Sequence, residues 1–277
     1  MAKRLILGGH SFFSSLSAEP DMTPAEHVEL VTTCLDLGIT TFDTTYAGER
    51  LALGAALEAC GRREEATIIC WNFLDRLDEN WTPSGDRPRL ITPAALEQWR
   101  EELRTERLDW VCIHELDEAT EAEHQAQQDL CASWLEAGHI SRLGIWSPGA
   151  KAASKYGANS PYSFMVTPFN VANTDAQPFE ACAALGWECF ACSPFVRGWD
   201  LEKMVAAGGD QPSQEGAESL IADRMLRFSL HQPFVHGLVT ATRRVEWVGV
   251  NLESAARGPL SAEERGELLR LARSASL

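Results

Sequence analysis

Short, nearly unbroken apolar runs alternate along this chain with longer segments whose apolar residues recur every three to four positions. The short runs are RLILGG (4–9), TTFDTT (40–45), TIICW (67–71), DWVCIH (109–114), RLGIWS (142–147), FMVTPF (164–169), ECFACS (188–193) and VHGLVTA (235–241). Runs without strict alternation predict strands covered on both faces. The longer segments carry helix punctuation. Thr23, Pro24 and Glu26 form a start signal, with a hydroxyl cap, a proline in the first turn and a carboxylate that can return to the cap. That helix closes on Gly38. Further helices are predicted after Tyr46, from Thr92, over 121–138 and over 175–186. Ser261 and Glu264 start a C-terminal helix over 261–275.

Eight strands separated by helices or long loops, in 277 residues, predict an α/β chain folded as one (β/α)8 TIM barrel over residues 1–277. A doubly wound sheet would carry a glycine-rich dinucleotide turn after its first strand, and LGGHSFF contains no G-x-G-x-x-G. Two connections, 72–90 and 197–216, read as long loops. Both leave the C-terminal ends of strands, where loops of that length serve as lids or substrate walls.

The formal net charge is −16, which disfavours nucleic acid and anionic membrane surfaces as partners and leaves a small molecule as the expected one. No apolar run approaches the length of a membrane span, and the one near the N-terminus, Leu5 to Leu7, is too short for a signal peptide, so a cytoplasmic location is expected. The eight cysteines fall in strand-like or helix-like apolar runs, as small buried hydrophobes do in a reducing compartment. Cys189 and Cys192 are spaced C-x-x-C, but in a strand they face opposite ways and no second ligand pair is visible, so no metal site is expected.

In the barrel reading, five chemically capable residues share one rim. Asp43 and Tyr46 follow strand two, His114 ends strand four, His10 follows strand one and Trp71 ends strand three. A carboxylate ending a buried strand is uncommon unless paired or functional. A tyrosine hydroxyl works as a general acid near neutral pH only if something pulls its pKa down, and a neutral histidine can orient a carbonyl by donating a hydrogen bond.

Taken together, FDTTYAGERLALGAAL, LDWVCIH, GIWS, FN (Phe169–Asn170), SPFVRGW and VNL (Val250–Leu252) resemble, in order, the motifs of the aldo-keto reductase superfamily. That resemblance implies a barrel oxidoreductase that moves a hydride between NADP(H) and a carbonyl or sugar substrate. Residue by residue, it implies catalytic roles for Asp43, Tyr46 and His114. It implies cofactor contacts from Ser147, Asn170, Ser193, Arg197, Thr242, Arg243 and Asn251, and a substrate pocket lined by His10, Trp71 and Trp146. The chain departs from the family pattern in several places. Trp71 stands where the family has the lysine that tunes the tyrosine, and Tyr46 lies two residues closer to the aspartate. Val166, Cys192, Trp247 and Val250 occupy positions that elsewhere grip the cofactor.

Three readings stay open. The first is a divergent NADP(H)-dependent oxidoreductase in which Arg197 or another cation replaces the lysine. The second is an isomerase or lyase running acid–base chemistry beside a carbonyl on Asp43, Tyr46 and His114 alone. The third is a non-catalytic binding protein on the same barrel.

Overall fold

All eight apolar runs become parallel strands. They are β1 (Leu5–Gly8), β2 (Thr41–Thr44), β3 (Thr67–Trp71), β4 (Trp110–Ile113), β5 (Arg142–Trp146), β6 (Tyr162–Pro168), β7 (Glu188–Cys192) and β8 (Gly237–Thr240). Each pairs with the next, and β1 pairs with β8, which closes the barrel. The computed structural model describes residues 2–13, 22–77, 82–83, 85–149, 155–157, 159–196, 198–208 and 214–277.

Outside the barrel run α1 (Pro24–Asp36), α2 (Ala47–Cys60), α3 (Pro93–Leu103), α4 (Glu121–Glu136), α5 (Gln177–Ala184), α6 (Gly198–Ala207), α7 (Gln214–Leu230), α8 (Val245–Ala256) and α9 (Ala262–Ser274). The Thr23–Glu26 and Ser261–Glu264 capping boxes form as the spacing predicts, and Thr120 with Glu123 makes a third. Two readings need correction. The 197–216 connection holds α6 and the first turn of α7 rather than one long loop. Helices α7 and α8 also lie where no helix was read, because neither segment opens with a Ser/Thr cap and acidic partner of the kind that marks α1.

Strand alternation divides the core in two. Outward residues such as Leu7, Phe42, Cys70, Val111, Leu143 and Cys189 pack beneath the helices. Inward residues, among them Ile6, Ile69, Trp71, Cys112, Phe164, Val166, Phe190 and Cys192, fill the barrel. Cys189 and Cys192 thus lie in different cores, and all eight cysteines are free thiols. At the N-terminal end of the strands the Arg142 guanidinium lies 4.5 Å over the Trp110 ring and 5.2 Å over Phe164. Gly144 makes room for that filling, since a Cβ there would lie 2.2 Å from the Phe164 ring. Gly144→Ala is expected to cost about 1–3 kcal/mol by overpacking, read as a lower midpoint in urea unfolding.

No helix among the described residues is long and apolar enough to cross a membrane. Among them, no group of three or more His, Cys, Asp and Glu side chains is placed to hold a metal ion.

Candidate active site

The strand ends at the C-terminal mouth carry a chain of rings. His10 stacks on Tyr46, with centroids 5.5 Å apart and planes 9° apart. Tyr46 meets Phe73 edge-on at 5.3 Å, and Phe73 meets His114 at 5.8 Å. His114 lies 6.1 Å from Trp146, which meets Trp71 edge-on at 5.3 Å. The Trp71 indole Nε1–H then donates to Asp43 Oδ1 at 2.6 Å. The structure therefore gathers Asp43, Tyr46, His114, His10, Trp71 and Trp146 at one mouth.

Trp71, expected in the substrate pocket, lies at this mouth against Trp146. Its side chain is buried, and its one polar atom serves Asp43. An indole is a donor without charge. Burial therefore pushes the Asp43 carboxyl up, to about 7, against the lowering effect of the Trp71 hydrogen bond. The neighbouring Glu49 carboxyl raises it further, and His10 opposes that. Near neutral pH, Asp43 can then either give or take a proton. His114 moves the other way. Burial lowers its pKa, which keeps the imidazole neutral and able to donate a hydrogen bond.

Four buried polar residues that hold this mouth were not singled out in the sequence. Asn72 links the ends of β3 and β4: its Oδ1 accepts from the His114 N–H at 2.8 Å, and its Nδ2 donates to the carbonyls of His114 (2.9 Å) and Arg89 (2.8 Å). Glu49 sits in the first turn of α2 and accepts from the backbone N–H groups of Thr45 (2.6 Å) and Tyr46 (3.2 Å). Arg50 donates to the carbonyls of Thr45 (3.0 Å) and Phe73 (2.7 Å) and pairs with Glu102 of α3 at 2.5 Å. Only Glu49 carried a sequence signal, its position three residues after the residue that precedes the helix.

Among the described residues, most of those expected to touch a cofactor are engaged in local hydrogen bonds. The Ser147 hydroxyl shares a 2.8 Å hydrogen bond with Thr167. Asn170 donates from Nδ2 to the Ser193 carbonyl at 2.8 Å, while its Oδ1 accepts the N–H groups of Ala172 and Asn173 at 3.0 Å each. Asn251 Nδ2 donates to the Thr242 hydroxyl at 3.0 Å, and the Thr242 N–H donates to Ser11 Oγ at 2.9 Å. Arg243 and Arg244 lie at the start of α8, with the Arg244 guanidinium 4.9 Å over the Trp247 ring. Arg197 lies outside the described residues. Ser147, Ser193 and Val196 all have positive φ (41°, 55° and 59°). Such backbone is costly for residues with a Cβ, most of all a β-branched one, and it clusters in loops that carry function.

The sequence profile of the aldo/keto reductase family matches residues 4–272. No curated protein matches the chain. Among solved structures, the aldo-keto reductase AKR11C1 from Bacillus halodurans, in its holo form, superposes with a TM-score of 0.69 at 18% identity. The match covers 98% of this chain and 92% of that one, and it shows a shared fold.

Proposed function

This chain belongs to the aldo/keto reductase family, and from that footing we propose that it is an oxidoreductase acting on the carbonyl group of a small molecule with NADP(H) as hydride carrier. The observation that carries the reading is the buried Asp43 carboxyl at the barrel mouth, held by the Trp71 indole and titrating at about 7. It gives the mouth a proton donor where the family's lysine-tuned tyrosine would otherwise be needed.

Among the described residues, those present suit the phosphate half of the cofactor better than its nicotinamide half. Arg243, Arg244 and the N-terminus of α8 offer positive charge and backbone donors to a 2′-phosphate. The Ser147 hydroxyl and the Asn170 amide, expected to hold the nicotinamide, are engaged with Thr167 and with the 170–173 turn. When bound, the nicotinamide would supply the hydride. Neutral His114 orients the carbonyl by donating a hydrogen bond to its oxygen. Asp43 gives its proton to that oxygen, and Trp71, Trp146 and Phe73 form an apolar wall that keeps water from the reacting carbon.

Titration with NADPH and NADH, followed by tryptophan fluorescence and checked by calorimetry, tests this reading. Micromolar NADPH binding is expected, with NADH weaker. Arg243→Ala should cost NADPH at least about tenfold, the scale of one charge-assisted hydrogen bond, with little effect on NADH. No binding at millimolar cofactor would overturn the proposal.

A further inference from the structure

One constellation at the mouth is not used by hydride transfer. The Glu49 side chain is 1% exposed, and its Oε1 lies 2.6 Å from His10 Nδ1. Its Oε2 is taken by the N–H groups of Thr45 and Tyr46. A carboxylate only accepts, so His10 Nδ1 carries the proton and Nε2 carries the lone pair. The His10 side chain is 37% exposed and is kept flat by its stack on Tyr46. A buried carboxylate that fixes the tautomer and orientation of a solvent-reaching imidazole is the arrangement that makes histidine an efficient base.

The base stands beside an acid. Gly8 of β1 pairs in register with Asp43 of β2. A Cβ on Gly9 would lie 2.2 Å from Glu49 Oε2 and 2.9 Å from the Asp43 carbonyl oxygen, so the loop bearing His10 is pressed against both residues. Among the described residues, the Glu49 carboxylate and the Tyr46 ring contact His10, and Asp43 at the end of β2 lies within its electrostatic reach.

We propose that this mouth also enolises small α-hydroxy ketones without a cofactor, with His10 as the base, Glu49 as the residue that positions it, and Asp43 as the acid. The inference rests on the carbonyl reading of the site above. In the step, His10 Nε2 takes a proton from the carbon next to the carbonyl, breaking C–H and forming N–H. The electron pair moves into a new C=C bond, and the carbonyl π pair moves onto oxygen. Asp43 gives its proton to that oxygen, leaving an enediol, an imidazolium and a carboxylate. Reversal returns a proton to either carbon, so nothing is oxidised or reduced overall.

The full chain is incubated with hydroxyacetone in D2O without nicotinamide, and loss of the methylene proton signal is followed by NMR. Exchange above the buffer rate is expected. His10→Gln should lower it by about 10²-fold or more. Glu49→Gln should lower it and also move the His10 limb of the pH–rate profile to lower pH, because an anion beside an imidazole raises its pKa. A merely structural pair would leave that limb unmoved. Gly9→Ala, which displaces Glu49 without removing a functional group, should repeat the Glu49→Gln effect. No exchange by the wild type, or unchanged exchange in His10→Gln, would overturn the inference. If exchange fails while NADPH still binds, this inference alone falls. If NADPH fails to bind while exchange persists, the hydride reading alone falls.

Discussion

Replacing Asp43 with Asn should lower kcat for a carbonyl probe by about 10²–10⁴-fold, the usual worth of a positioned general acid, with the barrel intact. The amide oxygen still accepts from the Trp71 indole, so the hydrogen bond at the floor of the mouth survives while the proton to be given does not. The same variant has a signature in stability. In the folded chain the Asp43 carboxyl titrates at about 7, against 3.8 for a free one. A raised pKa means that the folded state keeps its proton while the unfolded state loses one. The stabilising contribution is fully present below about 3.8 and is lost as pH rises through about 7. Asn at this position does not titrate. Urea unfolding of both proteins from pH 4 to 8 should therefore show the variant gaining on the wild type by about 1.4 kcal/mol per pH unit inside that window, and by nothing more above it. Parallel pH profiles would contradict a buried, half-protonated Asp43. Trp71→Phe removes the donor that holds the carboxyl down, so in that variant the upper edge of the window should move above 7.

The barrel was legible because each apolar run is long enough to cross it once and too short for anything else. Asp43 and His114 were legible because a polar residue ending such a run has few other reasons to be there. The segments of α6 and α7 hid behind glycines and a weak start signal, and the charges they carry around their faces blur the period on which helix reading depends. The Trp71–Asp43 bond was not legible. The sequence shows that a lysine is missing, but only geometry shows an indole turned to the same carboxylate. Glu49 and Arg50 were hidden for a different reason. On a helix following a strand, Glu-Arg reads as a solvated pair, and nothing local says that the loop bearing His10 covers Glu49 or that the neighbouring α3 covers Arg50. Gly54 is the trace of that covering. A Cβ there would lie 2.6 Å from the Glu102 carbonyl oxygen, so α2 and α3 approach too closely for any side chain at that point.

Arg50 is the residue on which that closeness depends, and its loss should have the largest effect on stability. The side chain is 0% exposed and ties three elements together: Glu102 of α3, the Thr45 carbonyl before α2 and the Phe73 carbonyl after β3. Arg50→Met keeps much of the volume but leaves the Glu102 carboxylate buried with, among the described residues, Gln98 as its remaining hydrogen-bond partner, donating at 2.8 Å. Breaking a buried pair from one side costs about 3–5 kcal/mol, which for a chain of this size is a fall in Tm of roughly 5–9 °C. The double variant Arg50→Met with Glu102→Met removes both charges together. It should recover much of that loss, because the penalty lies in the stranded carboxylate rather than in the missing attraction. If the double variant is no more stable than the single one, the bonds to the Thr45 and Phe73 carbonyls are what matter. Those two bonds also bear on function. Thr45 precedes Tyr46, and the Phe73 ring touches both Tyr46 and His114. A variant that recovers its Tm but not its activity would show that Arg50 sets the positions of the rings at the mouth, beyond holding two helices together.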